Sequence, residues 1–421
     1  MQGLYYKRHN CRLCHSTDIR TAISLAPMPI ATPNFSIPDT DTGSGAFREP
    51  VPLDLSLCRS CGLLQVLHVG NPELQYANYV YTTSLSLGLA QHFERYTVEV
   101  LAAIRAKPGA LVIEIGSNDG TLLQYFKKAG MRVLGIDPAQ AIARQATAAG
   151  VETIAAFFTA DMAKKVRAER GAADLMIANN VIANIDDMND MIAGVHHLLA
   201  DQGVFVFETQ YGADVVERNL LDTVYHEHLS YFNIKPLSIG FARHGLELFD
   251  VQRVTTKGGS IRVFVQHCGG QHAVLPVVRE MIDAEEKAGH YGEALYRNWM
   301  SEIAEIRQQL GVMAAAEHAR GRKVGGYGVS VGTTTLLPQF AMTDKVDMLF
   351  DDDSKKAAKL IGPDYAIPVQ GTDAVYQHNP GMIVIFAWRY ADPIIAKHAK
   401  YLEQGGKFVI PLPKVRIVGK T

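Results

Sequence analysis

Residues Val112–Gly120, VIEIGSNDG, decide the fold. An apolar strand run ends in Glu114, and Gly116 and Gly120 carry the chain through a tight turn into a helix starting near Thr121. The next strand run, VLGIDP, ends in Asp137, where a carboxylate can accept hydrogen bonds from both hydroxyls of a ribose lying over the first turn. A dinucleotide asks for Gly-x-Gly-x-x-Gly, whose glycines admit a pyrophosphate to the helix N-terminus. That pattern is absent from this turn. The bulkier acidic turn, with Asn118 and Asp119, suits a cationic, phosphate-free adenosyl cofactor. S-adenosylmethionine, which leaves as S-adenosylhomocysteine, carries a sulfonium and an ammonium and is the expected cofactor.

Outward from this turn, ALVIEIG, RVLGID, DLMIANN and GVFVFET are short apolar runs separated by helical stretches between Ala110 and about His267, with SIRVFVQHC as a late strand. This alternation predicts an α/β domain built on a mostly parallel, doubly wound sheet. MIANNVIANI places Asn179 and Asn180 at the carboxyl edge of that sheet, where ligands bind, to hold the methionine end or face substrate; the bland alternative is that they cap a turn. Phe157 and Phe158 are placed to flank an adenine or simply to fill the core. Ile303, Ile306, Leu310 and Met313 mark a helix leading to a tail that repeats the α/β logic in KVGGYGVSVGTTTLL, VDMLFDDD, GMIVIFAW and KFVIPLP. The expected division is a small N-terminal module over 1–70, an aromatic and helical connector over 71–106, a Rossmann-like domain over 107–300 and a second Rossmann-like domain over 301–421.

Four of the 5 cysteines form two Cys-x-x-Cys pairs, Cys11/Cys14 and Cys58/Cys61. Two such knuckles supply the four thiolates of a tetrahedral structural Zn²⁺ site with no open position for water. The 43 residues between them exceed the roughly 15–20 of a compact zinc ribbon, so they bracket an inserted segment, Ala26 to Pro52. Disulfide or redox use is the weaker reading for a cytosolic chain. Cys268 reads as a strand cysteine.

With 421 residues, 48% hydrophobic and 20% charged, the chain has material for two or three folded cores. Lys+Arg 41 against Asp+Glu 43 leaves a net charge of -2, and no global field draws in a polyanion, which argues against nucleic acid. No apolar run reaches the ~18 residues of a membrane span, and the first thirty residues carry His, Cys, Arg and Asp instead of a signal-peptide core. A cytoplasmic address without membrane contact is expected.

The densest polar-aromatic stretch, YHEHLSYF, runs from Tyr225 to Phe232. Histidine transfers protons near neutral pH and a neighbouring carboxylate can orient it, so Tyr225, His226, Glu227 and His228 make a candidate base assembly. A metal site would need a third ligand or a His-Glu-x-x-His spacing, and neither is evident.

These motifs resemble the nucleotide-sugar C-methyltransferases of branched-chain sugar biosynthesis, typified by enzymes acting at C-3 of dTDP-4-keto-deoxysugars. The resemblance covers nearly the whole chain: both knuckles, the Tyr79-Val80-Tyr81 region, EIGSNDGTLL, GIDP, ANNVIANI, FETQY, LDTVYHEHLSYF, GGSIRVFV and GYGVSVGTTTLL. It implies a zinc module, a central S-adenosylmethionine domain and a C-terminal domain that helps clamp a nucleotide-linked 4-keto sugar. It further implies that His228 removes the C-3 proton, that Glu227 holds or polarises it, and that Tyr79 and Tyr225 support the enolate. Tyr81, Asn184, Lys257, Arg262 and Tyr327 are the implied substrate contacts, and a monomer is favoured. Two departures fall on that side: Asn184 in NNVIANI and Lys257 in KGGS stand where the family commonly has histidine, and DDDSKK differs from the usual Asp-Arg-Asn-type segment.

A nucleotide-sugar oxidoreductase or epimerase is the rival enzyme class, suggested by two Rossmann-like regions, GGYGVSVG, and a Tyr231-x-x-x-Lys235 spacing. Pro236 biases Lys235 away from the helix such a pair needs. A non-catalytic zinc scaffold would leave the cofactor cradle unexplained.

Overall fold

Short apolar runs become strands and the amphipathic stretches become helices packed over them in the computed structural model, which describes residues 3–30, 49–76, 89–353, 356 and 359–419. In chain order the strands are β1 Tyr5–Lys7, β2 Ile19–Ile23, β3 Leu55–Cys58, β4 Leu64–Val66, β5 His68–Gly70, β6 Leu111–Ile115, β7 Arg132–Ile136, β8 Thr153–Ile154, β9 Ala173–Asn179, β10 Leu199–Gln210, β11 Ser230–Tyr231, β12 Leu246–Val254 and β13 Ser260–His267. The tail adds β14 Val324–Tyr327, β15 Met348–Asp351, β16 Lys359–Ile361, β17 Ala366–Gly371, β18 Met382–Ile385, β19 Lys407–Ile410 and β20 Arg416–Gly419.

The central sheet has the order β8-β7-β6-β9-β10-β13-β12. Its first five strands are parallel and the last two antiparallel, as the doubly wound reading requires. All five residues of β6 are buried because helices cover both faces of the sheet. Val112 packs with Phe93, Tyr96 and Phe126 of helices Leu89–Ala103 and Thr121–Lys128. Leu111, Ile113 and Ile115 face the opposite cluster with Val166 and Ile192. Strands β12 and β13 close one edge as a long antiparallel ladder.

The tail builds a second sheet, β16-β17-β15-β14-β18-β19-β20, parallel in its five inner strands and antiparallel at both edges. Its chain order reverses between β14 and β18. Helix Glu293–Ala319 runs unbroken through residue 300. Tyr296, Trp299, Ile303, Ile306, Leu310 and Ala314, at three- and four-residue spacing, form its buried face and share one core with Ile23 and Leu55 of the N-terminal sheet and Val324 and Leu349 of the tail.

The N-terminal sheet has the order β11-β4-β3-β2 and is antiparallel throughout. Its outer strand is borrowed: β11 belongs by sequence to the central region, and Ser230 pairs with Gln65 and Tyr231 with Leu64. The YHEHLSYF stretch is therefore fastened to the strand that follows the second cysteine knuckle. Among the described residues no helix is long and apolar enough to cross a membrane.

Candidate active site

The two knuckles bring four thiols together. Cys11 Sγ lies 3.6 Å from Cys61 Sγ and Cys14 Sγ 3.5 Å from Cys58 Sγ, and all four sulfurs fall within 4.8 Å of one another. None is in a disulfide. A tetrahedron with Zn–S bonds of about 2.3 Å has sulfur–sulfur edges of about 3.8 Å, close to the two short pairs, so the four-thiol set fits Zn²⁺. Three of the four cysteines are fully buried in the core that also holds Leu237 and Phe241 of the central domain. Between Cys11 and Leu13, buried Arg12 donates to the Leu229 and Val66 carbonyls at 2.7 Å and to Asp186 Oδ1 at 3.2–3.3 Å. Tyr6 and Arg8 also bond Asp186. One knuckle thus grips both the YHEHLSYF stretch and the loop after Asn184.

A cavity of about 430 Å³ opens at the carboxyl edge of the central sheet, walled on the other side by Tyr6, Gly70, Gln75 and Tyr76 of the N-terminal region. Gly116, Asn118, Asp137, Phe157, Phe158, Asn179, Asn180, Asn184 and Lys257 all line it. The first turn is built for close approach. Gly116 has φ +69°, and a Cβ there would meet Val181 at 2.8 Å, while Asn118 and Asn180 are also left-handed. Asp137 accepts the Asn118 and Ala139 N–H groups at 2.9 Å, which locks the turn and leaves each oxygen a lone pair for a guest hydroxyl. Phe157, 42% exposed, offers an uncovered ring to an adenine.

Polar atoms without a partner mark what is missing from this cradle. Asn179 Nδ2 and Asn184 Oδ1, both on lining residues, are buried and unpaired among the described residues, as is Glu114 Oε2, whose residue is not among those lining the cavity. Burial raises the Glu114 carboxyl well above its usual range, and Asp137 and Asp119 push it further. A cationic guest relieves that crowding, so the residues fit S-adenosylmethionine. Asp137→Ala is expected to weaken its binding about tenfold to a hundredfold in calorimetric titration, the loss of charge-assisted hydrogen bonds at about 1.5–3 kcal/mol. Unchanged affinity would remove Asp137 from the cofactor site.

His228 precedes Leu229 in the chain and feels the charge of Lys257, and both of those residues line the cavity, although His228 itself is not among the lining residues. Its Nδ1 is 2.8 Å from the Thr223 carbonyl, which can only accept, so the ring proton is on Nδ1 and Nε2 carries the lone pair. Tyr225 Oη donates to that Nε2 at 3.0 Å, and the two rings lie 4.2 Å apart. The partner that orients the imidazole is therefore the Thr223 backbone and not Glu227. Glu227 is buried and its carboxyl is raised to about 7 by burial, against the positive charge of Lys257. Lys257 holds a left-handed conformation, φ 52°, ψ 27°, in the turn between β12 and β13. Relief of that strain, less the extra chain entropy of glycine, predicts that Lys257→Gly stabilises the fold by about 0.5–1 kcal/mol, read as a raised Tm. A lowered Tm would mean that the Lys257 side chain itself holds the turn.

Several expected site residues are placed elsewhere. His226 is fully buried and its Nε2 contacts the Pro52 carbonyl at 3.1 Å, tying the stretch to the N-terminal region. Among the described residues no cluster of potential metal ligands includes His226 or His228. Asp119 turns back to the Thr121 N–H and hydroxyl at 3.2 and 2.6 Å and starts a helix. Arg262 is buried in the sheet, bonded to Glu208 at 2.8 Å and Glu99 at 2.7 Å, and stacked over Tyr96. Tyr327 is buried against Asp352 and His398 at the C-terminal end of β14, the middle strand of the second sheet. Neither Arg262 nor Tyr327 lines the cavity. Tyr79 and Tyr81 lie outside the described residues. The pair the epimerase reading needs does not meet: Tyr231 Oη points to the Thr223 carbonyl and Lys235 Nζ to Glu286.

Family models match in three blocks along the chain: a zinc binding domain over residues 11–76, a methyltransferase domain over 90–251 and a C-methyltransferase C-terminal domain over 255–413. The C-methyltransferase NovU of Streptomyces niveus is 33% identical over 419 residues, 99% of each chain. Two solved structures resemble the fold at 14% identity. The PH0226 protein from Pyrococcus horikoshii OT3 matches 47% of this chain and 96% of its own at a TM-score of 0.37. The magnesium protoporphyrin IX methyltransferase of Synechocystis PCC 6803, with bound SAH, matches 42% and 83% at 0.35.

Proposed function

The chain belongs to the C-methyltransferase family, and from that premise we propose that it methylates carbon C-3 of a nucleotide-linked 4-keto deoxysugar, in branched-chain sugar biosynthesis. The observation that carries the proposal is the His228 imidazole, whose Nδ1 contact with the Thr223 carbonyl leaves Nε2 as the basic atom, one residue from Leu229 in the wall of a cavity suited to S-adenosylmethionine. When bound, S-adenosylmethionine supplies an electrophilic methyl group on a sulfonium. The protein's task is then to make and hold a carbon nucleophile next to it.

A C–H beside a ketone becomes acidic only when the enolate oxygen finds positioned donors. When the Tyr225 hydroxyl turns from Nε2 to the enolate oxygen, the lone pair it releases on His228 Nε2 takes the C-3 proton, so the pair that hydrogen-bonds in the resting site divides into base and donor. The ammonium of Lys257 on the cavity wall favours both the enolate and the diphosphate. Asn184, with its unpaired Oδ1, faces the same cavity and is placed to accept from a sugar hydroxyl. Asp137, Phe157, Asn179 and Asn180 hold the cofactor. A zinc ion held by Cys11, Cys14, Cys58 and Cys61 would keep no open position for substrate and would serve the fold rather than the chemistry.

The same proposal includes a monomer working in the cytoplasm and the division at residues 70 and 106, with the last boundary drawn before Glu293 so that the long helix stays whole. The test is a panel of 4-keto sugars linked to dTDP, CDP, GDP or UDP, incubated with S-adenosylmethionine and analysed by mass spectrometry and NMR. A one-methylene mass gain on C-3 is expected. A methyl group on oxygen or nitrogen would overturn the role given to His228.

A further inference from the structure

Deprotonation by His228 depends on where the Thr223 carbonyl stands, and Thr223 is not anchored by its own domain alone. It ends the single 3₁₀ turn Leu221–Thr223, whose middle residue, Asp222, is buried. Arg389, from the loop after β18 in the second sheet, grips Asp222 with two parallel bonds, Nη1 to Oδ2 at 2.7 Å and Nη2 to Oδ1 at 3.0 Å. Helix Val331–Gln339, which follows β14, closes on the same turn: a Cβ on Gly332 would stand 3.2 Å from that of Asp222. Arg389 also lies against Gly258, next to Lys257.

The loops after β14 and β18 are the two that flank the point where the second sheet reverses its strand order, the position at which open α/β sheets bind ligands. Both converge on Asp222. Burial pushes the Asp222 carboxyl up and the Arg389 guanidinium opposes it, so the charge of the buried acid and the two-pronged bond support each other.

We infer that Asp222 and Arg389 are positioning residues, a latch through which the C-terminal domain sets the Thr223 carbonyl and with it the tautomer and aim of His228. The inference rests on His228 being the base. Neither residue of the latch need touch the reacting atoms. What it governs is how often Nε2 faces the C-3 hydrogen, so it acts on kcat and leaves the cofactor site alone.

Arg389→Gln is expected to lower kcat about tenfold to a hundredfold, the scale of a misplacement of about 1 Å in a reacting group, with affinity for S-adenosylmethionine unchanged. Arg389→Lys, which keeps the charge but not the fork, should fall between it and the parent. A readout that needs no substrate accompanies these rates. In ¹⁵N-histidine NMR, the signal absent from His228→Asn should show Nδ1 protonated in the parent and a mixture of tautomers in Arg389→Gln. Parent-like kcat together with a parent-like His228 signal in Arg389→Gln would overturn the latch. If no sugar in the panel is methylated by the parent, the functional proposal fails separately, and the tautomer measurement still decides the latch.

Discussion

His228→Ala should retain S-adenosylmethionine binding and lose methyl transfer by about two to four orders of magnitude, the usual contribution of a positioned general base. The expectation follows from geometry: Nδ1 is committed to the Thr223 carbonyl, so Nε2 is the only ring atom able to accept a proton. The pH dependence should carry the same signature. Burial, and then the charge of Lys257, hold the imidazole down to about 4 against the opposing bond to Thr223. The free base therefore persists well into acid, and the acidic limb of kcat/KM should fall as pH drops through about 4, not through the 6.5 of an exposed imidazole. Undiminished turnover in His228→Ala, or an acidic limb at 6.5, would remove this residue from the mechanism.

The same burial has a stability consequence with a defined sign. His226 is also held down to about 4 by burial. Below pH 6.5 the unfolded chain takes up protons at both histidines that the folded chain refuses, so stability declines as pH falls from about 6.5 towards 4.

Removing the metal should have the largest effect on the fold. Chelation, or Cys11→Ser, is expected to unfold the N-terminal sheet, because zinc-finger peptides derive about 10–16 kcal/mol from a structural Zn²⁺ and these knuckles sit inside a shared core. The damage should reach the chemistry indirectly. Without the knuckle, Arg12 loses its hold on Leu229 and Asp186, and β4 no longer presents an edge to β11. Methyl transfer and cofactor binding should therefore disappear together, with about one equivalent of zinc released, measured by metal analysis alongside circular dichroism. A folded, zinc-free and active Cys11→Ser protein would refute the structural-zinc claim.

Much of this was legible because it is written in local patterns. The apolar runs that became β6, β7, β9 and β10 alternate with helices at a spacing only a doubly wound sheet satisfies, and Gly116, Asn118 and Asp137 sit where such a sheet binds ligands. What escaped depends on partners far away in sequence. Strand β11 has two residues and no periodicity of its own; it is a strand only because β4 is beside it. The Thr223 carbonyl that orients His228 is backbone, and backbone carries no residue-type signal. Arg262 carries the charge of a substrate contact in sequence, but Glu208 and Glu99, distant in the chain, neutralise it within the sheet. Tyr6 and Gln75, which help wall the cavity, have nothing in their neighbourhoods that names a ligand.

The borrowed strand also sets a timetable for biogenesis. A ribosome adds about 5–20 residues per second, so β4 emerges on the order of ten seconds before Ser230 and Tyr231 can pair with it. During that interval the cysteine knuckles can already collect their ion, while one edge of the nascent sheet stands open to any other extended chain. Completion of the module waits on the arrival of the very segment that carries His228, so the zinc module and the proposed base reach their final places in one step.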